Sequence, residues 1–207
     1  GDVIAVSNGV QFSSMYKGEN LSDTIRAAGC YADVIALRHP EIGSSYEAGY
    51  YLDLLNKRID NPTVVVSGGD GIGEHPTQAL LDMFTIYDQK KSLDNLTISL
   101  VGDLKHGRTV HSLAKLIAYY GAKNVTLCLV APEILQMPPD ITKLLKTYNI
   151  NLIETDDLMN VIDKTDVIYW TRIQEERFDD VAAYEEIKDR FIMTPPVLAQ
   201  ARPDAIL

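Results

Sequence analysis

Apolar and polar positions along this 207-residue chain follow two periods. Short runs of apolar and β-branched residues predict strands, whereas longer stretches with apolar residues at near-helical spacing predict helices. The two kinds of segment alternate nearly throughout, which indicates an α/β fold with a mostly parallel sheet and helices on both faces. The predicted strands are 2–7, 34–38, 63–67, 96–101, 125–130, 151–154 and 167–170, and the predicted helices are 22–29, 76–91, 109–120, 139–148, 156–162, 182–190 and 195–201.

A domain boundary is indicated in the middle of the chain. The long amphipathic helix that begins at Pro76 ends at about Lys91, and the polar segment 92–95 follows it. Such a change of composition is typical of a boundary between domains. We therefore expect two doubly wound parallel-sheet lobes, residues 1–91 and 92–207, around a cleft.

Charge and composition exclude some classes of function. The net charge is −10 at pH 7, which argues against nucleic acid and anionic membrane as partners. No apolar run approaches the length of a membrane span, and no signal peptide opens the chain. Cys30 and Cys128 are isolated in apolar segments without a CxxC motif. This pattern predicts buried free thiols and a reducing, cytoplasmic setting.

The strongest chemical signal lies in the segment from Ile98 to Ile117. It predicts a buried strand that ends after Val101, then a loop with Lys105, His106 and Arg108, and then a helix. Open α/β sheets bind ligands at the carboxyl ends of their strands, and the amino end of a helix attracts negative charge. The segment therefore predicts an anion site.

Three further loops at strand ends carry polar side chains, namely 38–39, 75–78 and 171–174. Taken alone, a histidine at a helix start is more often a cap, and an arginine after a strand is more often part of a surface ion pair. Because the carboxyl ends of parallel strands meet at one edge of a sheet, four such loops together favour a binding site.

Other motif interpretations fail. The glycine-rich stretch 69–74 is not GxGxxG, because Glu74 holds the position of the third glycine, and no Walker lysine follows. His106 and His111 do not share a helix face, and no cysteine cluster supports a zinc site. No GxSxG elbow is present for a serine hydrolase. We therefore expect neither a metal nor another cofactor.

Five segments then carry a family resemblance. They are, in chain order, Lys17-Gly-Glu19, Leu37-Arg-His-Pro40, Gly73-Glu-His-Pro-Thr-Gln-Ala-Leu-Leu-Asp82, Val101-Gly-Asp-Leu-Lys-His-Gly-Arg-Thr-Val-His-Ser112 and Thr171-Arg-Ile-Gln174. They resemble signature segments of the aspartate carbamoyltransferase catalytic chains, and the resemblance covers essentially the whole sequence. It implies transfer of the carbamoyl group of carbamoyl phosphate to the amino group of L-aspartate in de novo pyrimidine synthesis. The lobes would then be a carbamoyl phosphate-binding domain and an aspartate-binding domain.

The resemblance also implies the roles of single side chains. The residues that would bind carbamoyl phosphate are Ser13, Arg38, His75 and Gln78, of which Arg38 and His75 would also polarise its carbonyl. The residues that would bind aspartate are Lys17, Arg108, Arg172 and Gln174, and Lys17 would also take part in catalysis. Both substrates are polyanions, and a guanidinium group matches a carboxylate with two parallel hydrogen bonds.

The resemblance further implies a homotrimer with shared active sites. In this family the loop that corresponds to Ser13 and Lys17 reaches into the site of a neighbouring subunit. The chain would stand alone, bind regulatory chains or belong to a fused multifunctional polypeptide. Two further family segments, Ser-Thr-Arg-Thr and His-Pro-Leu-Pro-Arg, are expected before Gly1 and after Leu207.

Two alternative functions stay open. An ornithine carbamoyltransferase shares the fold, but a second arginine beside Arg108 would repel the side-chain ammonium of ornithine. A non-catalytic carbamoyltransferase-like domain could serve trimer assembly alone, although the presence of Arg38, His75, Arg108 and Arg172 argues against loss of activity.

Overall fold

A computed structural model describes residues 2–4, 18–57, 62–173, 184, 185, 187 and 191–207 of the chain. The chain forms two compact units, Gly1–His75 and Pro76–Leu207. Each unit contains a parallel sheet whose strands are connected by helices, so the predicted α/β class is confirmed. The helix that begins at Pro76 belongs to the second unit by its packing, whereas the sequence pattern predicts the lobes to be 1–91 and 92–207.

The first unit contains two parallel strands and two helices among its described residues. The elements are α1 Leu21–Gly29, β1 Val34–His39, α2 Ser44–Asn56 and β2 Val64–Asp70. Helix α1 begins where Asn20 accepts a hydrogen bond from the backbone N–H of Asp23 at 2.9 Å, a standard N-cap. Leu21 and Ile25 of α1 pack with Leu52 of α2 against one face of the strand pair.

The second unit is built on a four-stranded parallel sheet. Its elements are α3 Pro76–Lys90, β3 Thr97–Val101, α4 Arg108–Tyr120, β4 Thr126–Val130, α5 Pro139–Thr147, β5 Asn151–Thr155, β6 Val167–Trp170 and α6 Pro195–Leu198. The strand order is β5-β4-β3-β6. The chain thus runs outward from β3 to β5 and returns to the other side of β3. This reversal between β3 and β6 is a topological switch point, where open sheets bind ligands.

Both faces of the second sheet are buried at its central strands, β3 and β4. Leu100 and Leu127 point into the core on the side of α3, α4 and α5. Val101, Cys128 and Val130 pack into a second core on the opposite face. Strands buried on both sides read as continuous apolar runs, which is the pattern that predicted β3 and β4.

Most predicted elements are confirmed, although the predicted helix 195–201 ends at Leu198, and three further features differ. The predicted helix 156–162 is wrong, because Asp157 caps a single 3₁₀ turn, Leu158–Asn160, and a second one follows at Ile162–Lys164. Helix α2 is not predicted, since the exposed Tyr46 and Tyr50 obscure its apolar period. Strand β2 extends to Asp70 instead of ending at Ser67, because its glycines allow close pairing with β1.

Two predicted elements fall on residues that are largely outside the described ranges. Residues 2–4 of the predicted first strand have no regular structure, and 5–7 are not described. Most of the predicted helix 182–190 is likewise outside the described residues. Among the helices that are described, none is both long and apolar enough to cross a membrane.

The two cysteines occupy different environments. Both thiols are free, and only Cys128 is buried. The prediction of a buried thiol is therefore confirmed for Cys128 and wrong for Cys30, which lies at the exposed end of α1. Burial raises the pKa of the Cys128 thiol, which keeps it protonated and inert.

Asp166 fastens the segment 202–207 to the sheet. Its carboxylate accepts a hydrogen bond from the backbone N–H of Thr97 at 2.8 Å and pairs with Arg202 at 3.0 Å. Its carbonyl oxygen accepts from the N–H of Ile206 at 3.1 Å, and the N–H of Ile168 donates to the Ile206 oxygen at 2.8 Å. One buried carboxylate thus connects the amino ends of β3 and β6 with residues near the end of the chain.

Replacing Asp166 by Ala should destabilise the second unit. The change leaves the Thr97 N–H without its charged acceptor, which costs on the order of 1–3 kcal/mol. Asp163→Ala is the matched control, because Asp163 is exposed and its loss should change stability by less than about 0.5 kcal/mol. The free energy of unfolding of both variants is measured by urea denaturation. The signal is the fluorescence of Trp170, the one tryptophan in the 207 residues. Equal stability of the two variants would contradict the prediction.

Candidate active site

The predicted residues of the first unit follow its two paired strands. Arg38 lies in β1 where the register with β2 shifts between Leu37 and His39, and its side chain is exposed. Such irregularities at the end of a strand re-aim a side chain. His75 is half-buried and directly precedes Pro76, the first residue of α3. Because β1 and β2 are parallel, Arg38 lies at the carboxyl end of β1 and His75 follows the carboxyl end of β2.

Asp70 joins the two loops that follow these strands. Its carboxylate accepts hydrogen bonds from the backbone N–H groups of Gly43 at 2.7 Å and Glu74 at 3.0 Å. The N–H of Gly71 donates to the His39 oxygen at 2.9 Å. Gly71 has φ +52°, and a Cβ there would lie 2.1 Å from the oxygen of Pro40. The glycine-rich stretch is therefore a tight structural connection, and Asp70 is a residue that the motif analysis did not single out.

The histidine next to Arg38 has a structural role. The His39 ring is buried, and its Nδ1 accepts a hydrogen bond from the backbone N–H of Glu41 at 3.1 Å. The same nitrogen lies 2.7 Å from the hydroxyl of Ser44. A backbone N–H can only donate, so Nδ1 is the acceptor of the bond from Glu41. His39 therefore fixes the loop, and Arg38 supplies the positive charge at this strand end.

In the second unit, the ends of β3 and β6 are in direct contact. Val101 lies opposite Trp170, and the loops that follow carry Gly102 and Thr171. The backbone N–H and the hydroxyl of Thr171 both donate to the Val101 oxygen, at 2.8 and 3.0 Å. The Thr171 hydroxyl in turn accepts from the N–H of Asp103 at 3.1 Å. Gly102 has φ +114°, and a Cβ there would lie 2.2 Å from the Thr171 oxygen.

Asp103 organises the loop that leads into α4. Its side chain is fully buried, and Oδ1 accepts from the backbone N–H of His106 at 2.9 Å. The His106 ring nitrogen Nδ1 lies 3.2 Å from both carboxylate oxygens. Gly107 passes so close that a Cβ would lie 2.5 Å from the Asp103 oxygen. His106 is therefore a support of the loop that carries Arg108.

The amino end of α4 is suited to an anion. Its N-cap, Gly107, provides no side-chain hydrogen bond, and its first turn contains no acidic residue. A helix end of this kind presents backbone N–H groups and the positive end of the helix dipole. Arg108 is the first residue of this helix and is half-buried, whereas Lys105 in the loop is exposed.

Two predicted arginines thus lie at the switch point of one sheet. Arg108 begins the helix after β3, and Arg172 directly follows Thr171, which is bonded to β3. Within the described residues, no group of three histidine, cysteine or acidic side chains could hold a metal ion. The arrangement can bind and orient negatively charged groups through cations and backbone N–H donors.

The predicted site residues differ in what the structure describes of them. Arg38 and His75 belong to the first unit, and Gln78, Arg108 and Arg172 belong to the second. Gln78 lies in the first turn of α3. Ser13, Lys17 and Gln174 lie outside the described residues, and their predicted roles stay predictions.

Comparison with protein families divides the chain into two matched parts. Residues 1–88 match the aspartate/ornithine carbamoyltransferase carbamoyl-P binding domain. Residues 94–207 match the aspartate/ornithine carbamoyltransferase Asp/Orn binding domain. The two matches follow each other in the order that the sequence resemblance implies.

Individual relatives agree with this result. The multifunctional protein ura1 of Schizosaccharomyces pombe is 45% identical, over 100% of this chain and 9% of that protein. The aspartate carbamoyltransferase catalytic subunit of Dichelobacter nodosus is 42% identical, over 100% of this chain and 58% of the relative. The chain therefore spans about three fifths of the length of that relative.

Solved structures give the same fold. Aspartate transcarbamoylase from Trypanosoma cruzi, in complex with carbamoyl phosphate, matches with a TM-score of 0.83 and 39% identity. The match covers 97% of this chain and 62% of that one. The catalytic subunit of aspartate transcarbamoylase from M. jannaschii matches with a TM-score of 0.81 and 38% identity, over 96% of this chain and 60% of that one. Resemblance to the aspartate carbamoyltransferase catalytic chain is thus confirmed, and the chain belongs to the aspartate/ornithine carbamoyltransferase family.

Proposed function

We propose that the protein transfers the carbamoyl group of carbamoyl phosphate to the amino group of L-aspartate, which gives N-carbamoyl-L-aspartate and phosphate. This is a step of de novo pyrimidine biosynthesis. The observation that carries the proposal is the position of Arg108 and Arg172 after neighbouring strands at one switch point. The D. nodosus relative is named an aspartate carbamoyltransferase, which supports the choice of acceptor.

Arg38 and His75 act on carbamoyl phosphate in this proposal. The amine nitrogen of aspartate attacks the carbamoyl carbon, and negative charge develops on the carbonyl oxygen. Arg38 and His75 stabilise that charge, and donors held in place before the reaction are the largest electrostatic contribution available to an enzyme. The C–O bond to phosphate then breaks, and the departing phosphate takes the proton of the amine. No metal or other cofactor takes part, and Gln78 and Ser13 complete the contacts to carbamoyl phosphate.

Arg108 and Arg172 select aspartate over ornithine. Aspartate brings two carboxylates, each of which a guanidinium group binds with two hydrogen bonds. Ornithine has one carboxylate and an ammonium group, which a second arginine repels. The loop contacts of Asp103 and Thr171 support this role, because they hold both arginine-bearing segments to one strand end. Gln174 and Lys17 add further contacts to aspartate.

The proposal includes the assembly and the setting of the protein. Residues 1–91 act as the carbamoyl phosphate-binding domain and residues 92–207 as the aspartate-binding domain. The protein forms a homotrimer in which Ser13 and Lys17 serve a neighbouring subunit, either with regulatory chains or within a fused polypeptide. Multifunctional relatives such as the S. pombe protein support fusion as one of these arrangements. The free thiols support a reducing, cytoplasmic location.

The proposed activity is tested with the full-length protein that contains these residues. Carbamoyl phosphate is supplied with either aspartate or ornithine, and formation of the ureido product is measured. Product with aspartate and none with ornithine is the expected result. Product with ornithine would show the other acceptor specificity, and no product with either would favour a domain kept for assembly.

Replacing Arg172 by Ala should weaken aspartate recognition. The variant loses a charge-assisted carboxylate contact, which corresponds to on the order of 2–4 kcal/mol of transition-state binding. The KM for aspartate should rise steeply, while the KM for carbamoyl phosphate changes far less. Arg26→Ala is the control, because Arg26 is an exposed helix residue whose ion partner is Asp23 on α1. Unchanged aspartate kinetics in Arg172→Ala would remove this residue from the site.

Mixed trimers should reveal a shared site. Lys17→Ala and Arg38→Ala proteins should each be nearly inactive as homotrimers, because each lacks one cation of every site. After dissociation and reassembly of a mixture, some interfaces combine an intact Lys17 loop with an intact Arg38 pocket, and activity should return in part. Mass measurement confirms that mixed trimers have formed. Mixed trimers no more active than their parents would place Lys17 in its own subunit's site.

A further inference from the structure

A chain of hydrogen bonds begins at Gln78 and ends on the strand that precedes Arg172. The Gln78 Nε2 donates to Asp82 Oδ1 at 2.8 Å, one turn along α3. The Tyr169 hydroxyl of β6 donates to the other carboxylate oxygen, Asp82 Oδ2, at 2.9 Å. Each oxygen of the Asp82 carboxylate therefore accepts one hydrogen bond, and the two donors, Gln78 and Tyr169, are distant from each other in sequence. None of the contacts described for Asp82 is to a basic residue.

The carboxylate determines which way the Gln78 amide points. The two ends of an amide are nearly alike in shape, so its orientation has to be assigned from its hydrogen-bond partners. An ionised carboxylate only accepts hydrogen bonds, so the atom that faces Asp82 must be the amide nitrogen. The carbonyl oxygen of Gln78 is then at the opposite end, turned away from Asp82. An uncharged partner at position 82 would permit either orientation.

Tyr169 is well suited to hold Asp82 in place. Burial is the main reason why the pKa of Tyr169 rises to about 12, and Asp82 raises this pKa further, while a hydrogen bond with Thr109 opposes the rise. The phenol therefore stays a protonated donor at neutral pH. Thr109 directly follows Arg108 in α4, and Tyr169 lies three positions before Arg172.

We propose that Asp82 and Tyr169 are positioning residues of the carbamoyl transfer reaction. This inference rests on the proposed function. Asp82 fixes the Gln78 amide so that its carbonyl oxygen can accept a hydrogen bond from the carbamoyl NH₂ group. Tyr169 holds Asp82 in place by its hydrogen bond. Because Tyr169 lies in β6 and also bonds Thr109, it fixes the position of Gln78 relative to the segments that carry the two arginines. Neither Asp82 nor Tyr169 contacts a substrate.

A double-mutant cycle separates positioning from a general structural effect. Asp82→Ala, Gln78→Ala and the double variant are prepared in the full-length protein, and KM and kcat are measured with carbamoyl phosphate varied. Asp82→Ala alone should raise the KM for carbamoyl phosphate about tenfold, because a misplaced contact loses much of its value. In the Gln78→Ala background, Asp82→Ala should raise the KM for carbamoyl phosphate by less than about twofold. The reason is that the effects of residues that act as a unit are not additive.

Two conservative variants and two controls complete the design. Asp82→Asn keeps the shape of the side chain but permits both orientations of the Gln78 amide. It should therefore raise the KM for carbamoyl phosphate about threefold. It replaces Asp82→Ala in the cycle if Asp82→Ala does not fold. Tyr169→Phe should raise the KM values for both substrates. Asp88→Ala and Tyr87→Phe are the matched controls, because both residues are exposed on α3, and neither should change either KM.

The outcomes distinguish this inference from the proposed function. An inactive wild type would overturn the proposed function, and the inference would fall with it. An active wild type in which Asp82→Ala has the same effect with and without Gln78 would overturn the inference alone. The inference alone would also be overturned if the Asp82 and Tyr169 variants lost kcat only in proportion to the loss of folded protein, with both KM values unchanged.

Discussion

The close approach of Gly102 to Thr171 holds together the two loops that lead to the predicted aspartate-binding arginines. A Cβ at position 102 would lie 2.2 Å from the Thr171 oxygen, so a larger residue would force apart the loops after β3 and β6. The Thr171 hydroxyl then connects the two loops by donating to Val101 and accepting from Asp103. Arg172 follows this junction directly, and Arg108 begins the helix on its other side. The two segments that carry these arginines are thus held together by backbone contacts at the switch point of the sheet.

In both units the loops that carry predicted site residues are stabilised in the same way. In each, an aspartate at or just after a strand end accepts hydrogen bonds from backbone N–H groups: Asp70 from Gly43 and Glu74, and Asp103 from His106. Acidic side chains would normally weaken a site for polyanions. Here they are directed to the backbone, and the exposed or half-buried cations Arg38, Arg108 and Arg172 provide the charge. The rigidity of the loops and their positive charge are therefore supplied by separate residues.

Local pattern allowed much of this to be predicted. The runs that became β3, β4 and β6 are apolar because both faces of their sheet are buried, and Pro76 correctly indicates the start of α3. The family segments identify Arg108 and Arg172, and the parallel order of the strands brings them to one edge. Helix α2 could not be predicted in this way, because Tyr46 and Tyr50 on its outer face remove the contrast between its two sides. The 3₁₀ turn Leu158–Asn160 begins with a cap by Asp157, which periodicity does not register.

The orientation of Gln78 is a different kind of information. The motif His75-Pro-Thr-Gln78 indicates that an amide is present, but an amide can present either a donor or an acceptor to a substrate. The carboxylate of Asp82, held by the phenol of Tyr169 from 87 residues away, accepts a hydrogen bond from the amide nitrogen and so favours one of the two orientations. That contact joins α3 to β6, the strand that returns beside β3. A motif can therefore predict which residues form the site, whereas the hydrogen-bonding polarity of the site is a property of the tertiary fold.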